Sequence, residues 1–411
     1  PTTTPPTQSH STYSVEESMS ETQPPEMFAK AVCAAYDAAG ITYTYLPERF
    51  AIHSETGYLL LGNFFDEYQN LSEPEPQQAV IDRLLRLAQS PPSTLPTDWA
   101  EAEGNILARV RVLSYYTRAR LQLAQLDRDA PDPSFIHAPF APGMAIEAVY
   151  DLPLRILPIG PKQVEAWQQD TATLIATGVR NLKAINPNPF TTIADGVFIA
   201  NTGDSYDSSR MCLIDDIKAL PLQGAPLAIA PIRDALIICG SEHPDGRAVA
   251  LQVIQSQLEA QRRESFEPYI LRDGGWQRWT PDPSDPQAEP WVLLCQQYLA
   301  GEYSLLKEML DALHGDEGPY VAPFKVIRSK EGEILSYTNW PQSEGGWMPQ
   351  ANLVALTDIE TMNTILAPWS VIADRPELER VPNIDPPLWS VASAPDSAML
   401  KTVSARLNDP N

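Results

Sequence analysis

The sequence predicts an α+β protein: a small N-terminal α+β unit, a central mixed-sheet domain with helices, and a C-terminal helix-plus-hairpin extension. Three observations predict it. Stretches with apolar residues three and four apart share the chain with stretches that alternate apolar and polar residues. The 40 prolines gather between these periodic stretches, which argues for many loop stops and against one long helical bundle. At 411 residues the chain is long for one core and natural for two or three domains.

Residues 1–25 are polar and rich in Pro, Thr and Ser. They lack the basic and apolar regions of a signal peptide, and a disordered tail is expected there. The N-terminal unit is expected over 26–90. "PEMFAKAVCAAYDAAG" opens it as a helix, with Phe28, Ala31, Val32, Ala35 and Tyr36 on one face and Gly40 as its stop. "ITYTYLPERFAIHSETGYLLLGNFF" alternates in strand fashion around an "ETG" turn, and "PQQAVIDRLLRLAQ" is again a helix. "SPPSTLP" then breaks the chain.

The central domain is expected over 97–280. "NILARVRVLSYY" alternates Ile106, Ala108, Val110 and Val112 against Leu107, Arg109, Arg111 and Leu113, a strand with one wetter face. "DRDAPDPSFIHAPFAPGM" reads as a loop. "AIEAVYDLPLRILPIG" gives two short strands pivoting at Asp151, Leu152 and Pro153. "PKQVEAWQQD" and "TATLIATGVRNLKA" make a helix pair, with Asp170 placed to cap the second. "GVFIANTG" and "PLAIAPIRDALIICGSE" supply three Ile-rich strands, "DGRAVALQVIQSQLEAQRR" a helix, and "FEPYILRDGGWQRW" a last strand with a Gly-Gly turn.

"TPDPSDPQAEP" is a linker. The C-terminal unit follows over 288–366. Trp291, Leu294, Cys295, Tyr298, Leu305, Leu306, Met309 and Leu313 lie on one helical face that ends at Gly315. "PYVAPFKVIRSKEGEILSYTNW" is a hairpin and "ANLVALTD" a further strand. From 367 to 411 the chain is Pro-rich and weakly periodic, and an extended tail is expected.

Charge and motifs narrow the function. Fifty-three acidic residues against 29 basic ones give a net charge of −24, with no run of four basic residues. A nucleic-acid backbone needs clustered Lys and Arg, so no nucleic-acid partner is expected, and the same charge opposes anionic membrane surfaces. No stretch of eighteen apolar residues occurs. Cys33, Cys212, Cys239 and Cys295 are scattered in apolar contexts, which suggests buried thiols in a reducing compartment and leaves a Cys212–Cys239 bond open. The five histidines share no ligand spacing, so no metal is expected. No nucleophile elbow, phosphate loop or dinucleotide motif is present, and no cofactor is implied.

The most distinctive stretch is "NTGDSYDSSRMCL", which follows an apolar run. Asn201, Asp204, Tyr206, Asp207, Ser209 and Arg210 could form a self-bonded loop, with Asp207 capping a helix that starts near Ser208 and Arg210 paired to Asp204 or Asp207. The other reading, less common than a cap, is a polar pocket with Arg210 facing an anion. His243, in "SEHPDG" at the end of an Ile-rich strand, is a candidate partner through Asp207 or Ser241. Asp215 and Asp216 suit either a cation or a solvated helix face. Trp276, Trp279, Trp340 and Trp347 sit in Gly- and Pro-rich turns, either covering the ends of a core or forming an aromatic surface for a protein partner.

The order of these elements resembles the DUF1444 family, bacterial proteins of the YtpQ type. The features that carry it are "FAIHSETGYLLLGNFFDEY", "ILARVRVLSYY", "AVYDLPLRILPIG" with the helix ending in "VRNL", and "NTGDSYDSSRMCL" followed by "APLAIAPIRDALIICG". The family pattern is an Asp-Gly-Tyr-Asp-Ala-Ser-Arg-like run. Tyr206, Asp207, Ser209 and Arg210 fit it, while Ser205 stands where the family has Gly and Ser208 where it has Ala. The resemblance covers residues 26–275 and extends toward 360. It implies a cytoplasmic protein and brings no catalytic signature. The function expected from all this is a non-catalytic interaction or regulatory protein. The alternative is a small-molecule-binding protein or hydrolase with its site on the 201–210 loop and His243.

Overall fold

The run "PLAIAPIRDALIICG" is apolar at nearly every position, and such a strand pair is stable only if both of its faces are covered. The structure, a computed structural model, covers both. It describes residues 24–408 apart from 56, 72, 91–93, 128–132 and 259–262, so most of the expected N-terminal tail lies outside the described residues. The chain divides into two compact units, Pro1–Pro92 and Ser93–Asn411.

The first unit packs α1 (Pro25–Ala38), a three-stranded antiparallel sheet of β1 (Tyr43–Leu46), β2 (Ala51–Ser54) and β3 (Gly57–Leu60), and the helices α2 (Gly62–Gln69) and α3 (Pro74–Gln89). Phe28, Val32 and Tyr36 of α1 meet Phe65 and Tyr68 of α2 and Val80, Ile81 and Leu84 of α3 in one core. "GNFF" is helical rather than the end of a strand. Its Phe65 and Tyr68 are three residues apart, the spacing that aims both rings from one helix face at Phe28.

The second unit begins with α4 (Trp99–Ala102), capped by the Asp98 carboxylate. The strand β4 (Ile106–Val112) follows and then α5 (Leu113–Leu126), where a continuing strand was expected. No face of β4 is wet: Arg109 and Arg111 are buried, held by Glu147 at 2.6 Å and Glu264 at 3.0 Å. A charged residue can occupy a buried strand face when a carboxylate is buried with it. The strand β5 (His137–Ala141) lies within the expected loop. It joins β4 and β7 (Arg155–Pro158) in pairing with β6 (Met144–Leu152), and the β6–β7 turn falls at the expected pivot.

Next come α6 (Pro161–Ala166) and α7 (Thr171–Ile185). Asp170 caps α7, accepting from the Thr173 N–H at 2.7 Å. Gly178 lets α7 approach β4: a β-carbon there would stand 2.5 Å from the Ala108 nitrogen.

The six-stranded antiparallel sheet has the order β13-β12-β10-β11-β9-β8, with β8 (Phe190–Ala194), β9 (Val197–Ala200), β10 (Pro226–Ile232), β11 (Ala235–Gly240), β12 (Tyr269–Arg272) and β13 (Gly275–Arg278). Between β9 and β10 lie a 3-10 turn, Ser208–Cys212, and α8 (Ile214–Lys218). The β12–β13 turn is formed by Asp273 and Gly274, both left-handed, one residue earlier than the Gly-Gly pair. One face of this sheet (Phe198, Ala228, Leu236, Ile238) packs on Ala108, Val110 and Ile146 of the β4–β6 sheet. The other face (Leu227, Ile229, Ile237, Cys239) packs on α9 (Pro244–Gln255) and α10 (Ala288–His314).

The helix α10 ends at Gly315 as expected, but Leu305 is 40% exposed while Tyr303 turns inward. The 280–290 linker passes into α10 within the second unit, with Asp285 held by Arg247. Beyond it, β14 (Lys325–Arg328) and β15 (Ile334–Asn339) form the expected hairpin. The strand β16 (Trp347–Pro349) comes next, and β17 (Leu353–Asp358) lies parallel to β15 and antiparallel to β18 (Asn363–Pro368).

The extended tail expected from 367 is instead folded as α11 (Trp369–Ile372), β19 (Leu378–Arg380), β20 (Leu388–Val391) and α12 (Ser397–Asn408). Ile372, Val391, Met399, Leu400 and Val403 bury against Trp340, Val354 and Leu356. Apolar residues too sparse to show a period still make a core when short elements deliver them to one place. No described helix is long and apolar enough to cross a membrane.

Candidate functional site

The 201–210 loop leaves the end of β9 and enters the 3-10 turn. Gly203 and Ser205 both have left-handed backbones, with φ of 77° and 69°, and these reversals fold the loop back on itself. The Asp207 carboxylate therefore points into the loop. It accepts from the Thr202 N–H and hydroxyl, both at 2.9 Å, and from the Gly203 N–H at 3.3 Å. It does not cap the following turn, and its own backbone is already helical. The expected cap is thus corrected: the acceptor is used upstream, where two turn N–H groups would otherwise be orphaned.

Arg210 pairs with both candidate carboxylates. Its Nη1 donates to Asp204 Oδ1 at 2.9 Å and to Asp207 Oδ1 at 3.0 Å, and its Nη2 donates to Asp204 Oδ2. The side chain is fully shielded from solvent, with only Nε lacking an acceptor among the described residues. It is not free to face an anion. Burial raises the Asp207 pKa, with the Thr202 hydrogen bonds opposing. At Asp204 burial also pushes upward, but the bonds from Arg210 and the Tyr206 N–H outweigh it and hold the carboxyl below its usual range.

The remaining side chains of the loop point at the two sheets. The Tyr206 hydroxyl donates to Asp151 Oδ1 at 2.9 Å, at the end of β6. Burial and the neighbouring Asp151 charge push this phenol well above its ordinary range, so it serves as a donor and not as a nucleophile. Ser209 Oγ accepts from the Val110 N–H at 3.1 Å, satisfying a donor on the edge strand β4. The Ser208 N–H donates to the Arg233 carbonyl at 3.0 Å in the β10–β11 turn, and Arg233 donates to Ser205 Oγ at 3.2 Å. Asn201 is exposed. The loop is a clasp between the two sheets, built from the residues expected to make a site.

His243 is not brought to the clasp. It packs against Gly196, just before β9, whereas the loop leaves after Ala200. Four extended residues, about 13 Å, separate them. Its Nε2 lies 3.9 Å from the exposed Asp195 carboxylate, and the Ser241 hydroxyl accepts from the Ala225 N–H at 3.0 Å. Asp216 pairs with Lys183 at 2.6 Å. All four cysteines are free thiols, so Cys212 and Cys239 are not bonded. Among the described residues no three His, Cys, Asp or Glu side chains group as a metal site.

The expected aromatic surface is corrected at two of its four tryptophans. Trp276 is 4% exposed, with its Nε1 donating to the Met211 carbonyl at 3.1 Å, and Trp340 is 1% exposed, donating to the Ser393 carbonyl at 2.9 Å. Trp279 and Trp347 are half-buried. A tryptophan in a turn can reach back into the core beneath it, and its indole N–H then takes a backbone carbonyl.

Sequence reasoning missed two features. One is the buried charge set beside the clasp, Arg109–Glu147 and Arg111–Glu264; the arginines within an apolar alternation were its signal. The other is a half-open cleft of about 300 Å³ between the exit of β13, the first half of α10 and the β15–β17 edge, lined by Trp279 and Trp291. Only the tryptophans could have hinted at it. No protein-family model, no curated protein and no solved structure matches the chain. What fold and geometry define is an α+β protein whose most distinctive loop is a structural clasp.

Proposed function

We propose that the chain is a cytoplasmic interaction or regulatory protein, which works by binding a protein partner and performs no chemistry at the 201–210 loop. The observation that supports this reading is the saturation of the clasp. A catalytic or anion-binding Arg210 needs donors to offer, and its two terminal nitrogens are engaged by Asp204 and Asp207 with no solvent contact. Kinship with the DUF1444 family belongs to the same proposal. Its support is local: Ser205 has the left-handed backbone that favours the family's Gly.

The test is a thermal-shift screen against metabolites, nucleotides and metals on wild type and Asp204→Asn. The expected result is a lower melting temperature for the variant and identical ligand responses in the two proteins. A ligand that stabilises wild type and not the folded variant would overturn the reading in favour of a small-molecule site on the loop.

A further inference from the structure

We propose that the open edge of β18 is a self-association surface. It pairs antiparallel with β18 of a second copy of this chain, and two four-stranded sheets become one of eight strands. The inference goes beyond the reading of the 201–210 loop and does not depend on it.

The strand ends the order β14-β15-β17-β18. Its ladder with β17 runs unbroken from Asp358–Asn363 to Leu353–Pro368. Just beyond it the Trp369 N–H donates to the Asn352 carbonyl at 3.0 Å, which fixes the phase. Bonded pairs recur at every second residue of an antiparallel ladder. Asn363, Ile365 and Ala367 therefore bond to β17, and Thr364 and Leu366 turn their N–H and C=O groups away from it. The β17 residues opposite them agree. The Ala355 carbonyl accepts from the Trp340 N–H at 2.9 Å and the Thr357 carbonyl from Gln342 Nε2 at 3.1 Å, rather than from β18. Ile365 and Ala367 face the core that Met399, Leu400 and Val403 of α12 complete. Thr364 and Leu366 lie on the other face and are exposed, Leu366 by 47%.

Such an edge is a template for another strand, and folded proteins blunt it with charge, a bulge or a covering group. This chain blunts other edges in these ways. Ser209 accepts from the Val110 N–H of β4, a register shift between Thr192 and Ala194 interrupts β8, and Lys325 and Arg328 put charge on β14. The β18 edge has neither charge nor bulge, and its proline, Pro368, stands at the last position.

Symmetry and charge point to a second copy as the occupant. A two-fold axis at Ile365 sets Thr364 against Leu366 of the second copy and Leu366 against its Thr364, so every outward N–H of the two residues meets a carbonyl. The neighbouring symmetric registers fail. Centring on Leu366 opposes Thr364 to Pro368, which has no N–H. Centring on Thr364 opposes Leu366 to Met362, whose backbone is left-handed with φ of 58°. Like charges set opposite one another destabilise a strand pair. With no charged residue in β18, two copies of a chain of net charge −24 meet here without opposing carboxylates. Pairing one strand buries less than the about 800 Å² per partner of a standard interface, so the dimer is weak, with a micromolar Kd.

The experiment is sedimentation velocity on the full chain from about 1 µM to about 500 µM, with amide exchange at both ends of that range. Wild type should be monomeric at the low end and dimeric at the high end. The Thr364 and Leu366 amides should slow by about tenfold or more in the dimer, while those of Ile365 and Ala367 stay slow in both states. Leu366→Lys puts a charge on the exposed side of the edge. Thr364→Pro removes one outward N–H, a change that an edge strand tolerates. Each should weaken the dimer about tenfold or more. Leu305→Lys, at an exposed apolar position on α10, is the control for non-specific contact and should associate like wild type. Should Thr364→Pro fail to fold, Leu366→Lys and the exchange of wild type decide. A wild type still monomeric at the high end, a folded Leu366→Lys that dimerises like wild type, or Thr364 and Leu366 amides that exchange alike at both concentrations would each overturn the proposal.

Discussion

Arg210 Nη1 lies 3.0 Å from Asp207 Oδ1, three residues earlier in the chain, and solvent reaches neither side chain. The pair holds the turn that carries Ser209 to β4 and Tyr206 to β6. Its removal from one side is costly because the partner's charge stays buried.

Arg210→Met should therefore lower the stability of the second unit by about 3–5 kcal/mol, the usual cost of stranding a buried charge. Adding Asp207→Asn should restore part of the loss, because the stranded charge goes with it. Chemical denaturation of wild type, both single variants and the double variant measures the coupling, expected between about 0.5 and 3 kcal/mol. Strictly additive effects would show that the two residues act independently and that the clasp is not held by their pair.

Ser209→Ala tests the clasp from the other side. The Val110 N–H lies on the edge strand β4, and Ser209 Oγ is its acceptor. Removing the hydroxyl leaves a buried donor unmatched at a cost of about 1–3 kcal/mol. Amide exchange at Val110 should accelerate together with the loss of stability. Unchanged exchange would mean the N–H finds another acceptor.

These residues mark what the sequence could and could not show. Local features were readable: the Asp170 cap, the Gly315 stop, the β14–β15 hairpin and the self-bonding character of 201–210 all rest on neighbours in the chain. The direction of the Asp207 carboxylate was not, because it depends on left-handed residues at 203 and 205 that place Thr202 within its reach. The arginines of β4 were assigned to water because their carboxylates lie 38 and 153 positions away, at 147 and 264. The order of 369–408 was hidden for the same reason. Its apolar residues find their partners in Trp340, just past β15, and in β17, and no period within the segment announces that.

Gly178→Ala gives a prediction whose sign departs from helix propensity. In an exposed helix interior this change stabilises by about 1 kcal/mol. Here the added carbon would stand 2.5 Å from the Ala108 nitrogen and 2.6 Å from the Leu107 carbonyl carbon, both backbone atoms that cannot rotate away. The helix α7 must move off β4, and overpacking of this kind costs about 1–3 kcal/mol. A melting temperature at or above that of wild type would show that α7 is not pinned at this point.

The dependence of stability on pH should have its maximum on the acid side of neutral. Burial raises the carboxyls of Asp151 and Asp207 above their usual range. A group whose folded pKa exceeds its unfolded value adds stability as the pH falls through the folded value, because the folded state takes up the proton first. Relief of the net charge of −24 acts in the same direction. Asp170 and Asp204 have the opposite shift. The Thr173 N–H lowers the first, and at the second the bonds from Arg210 and Tyr206 prevail over burial. Their contribution is present above the unfolded carboxyl pKa of about 4 and is lost as the pH falls through their folded values. Melting temperature should thus rise as the pH falls from neutral toward the unfolded carboxyl pKa of about 4 and drop once the pH falls below it. Asp151→Asn keeps an oxygen for the Tyr206 hydroxyl and should flatten the rise, and Asp204→Asn should flatten the drop. Profiles of the two variants that run parallel to wild type across the whole range would show that these carboxyls do not set its shape.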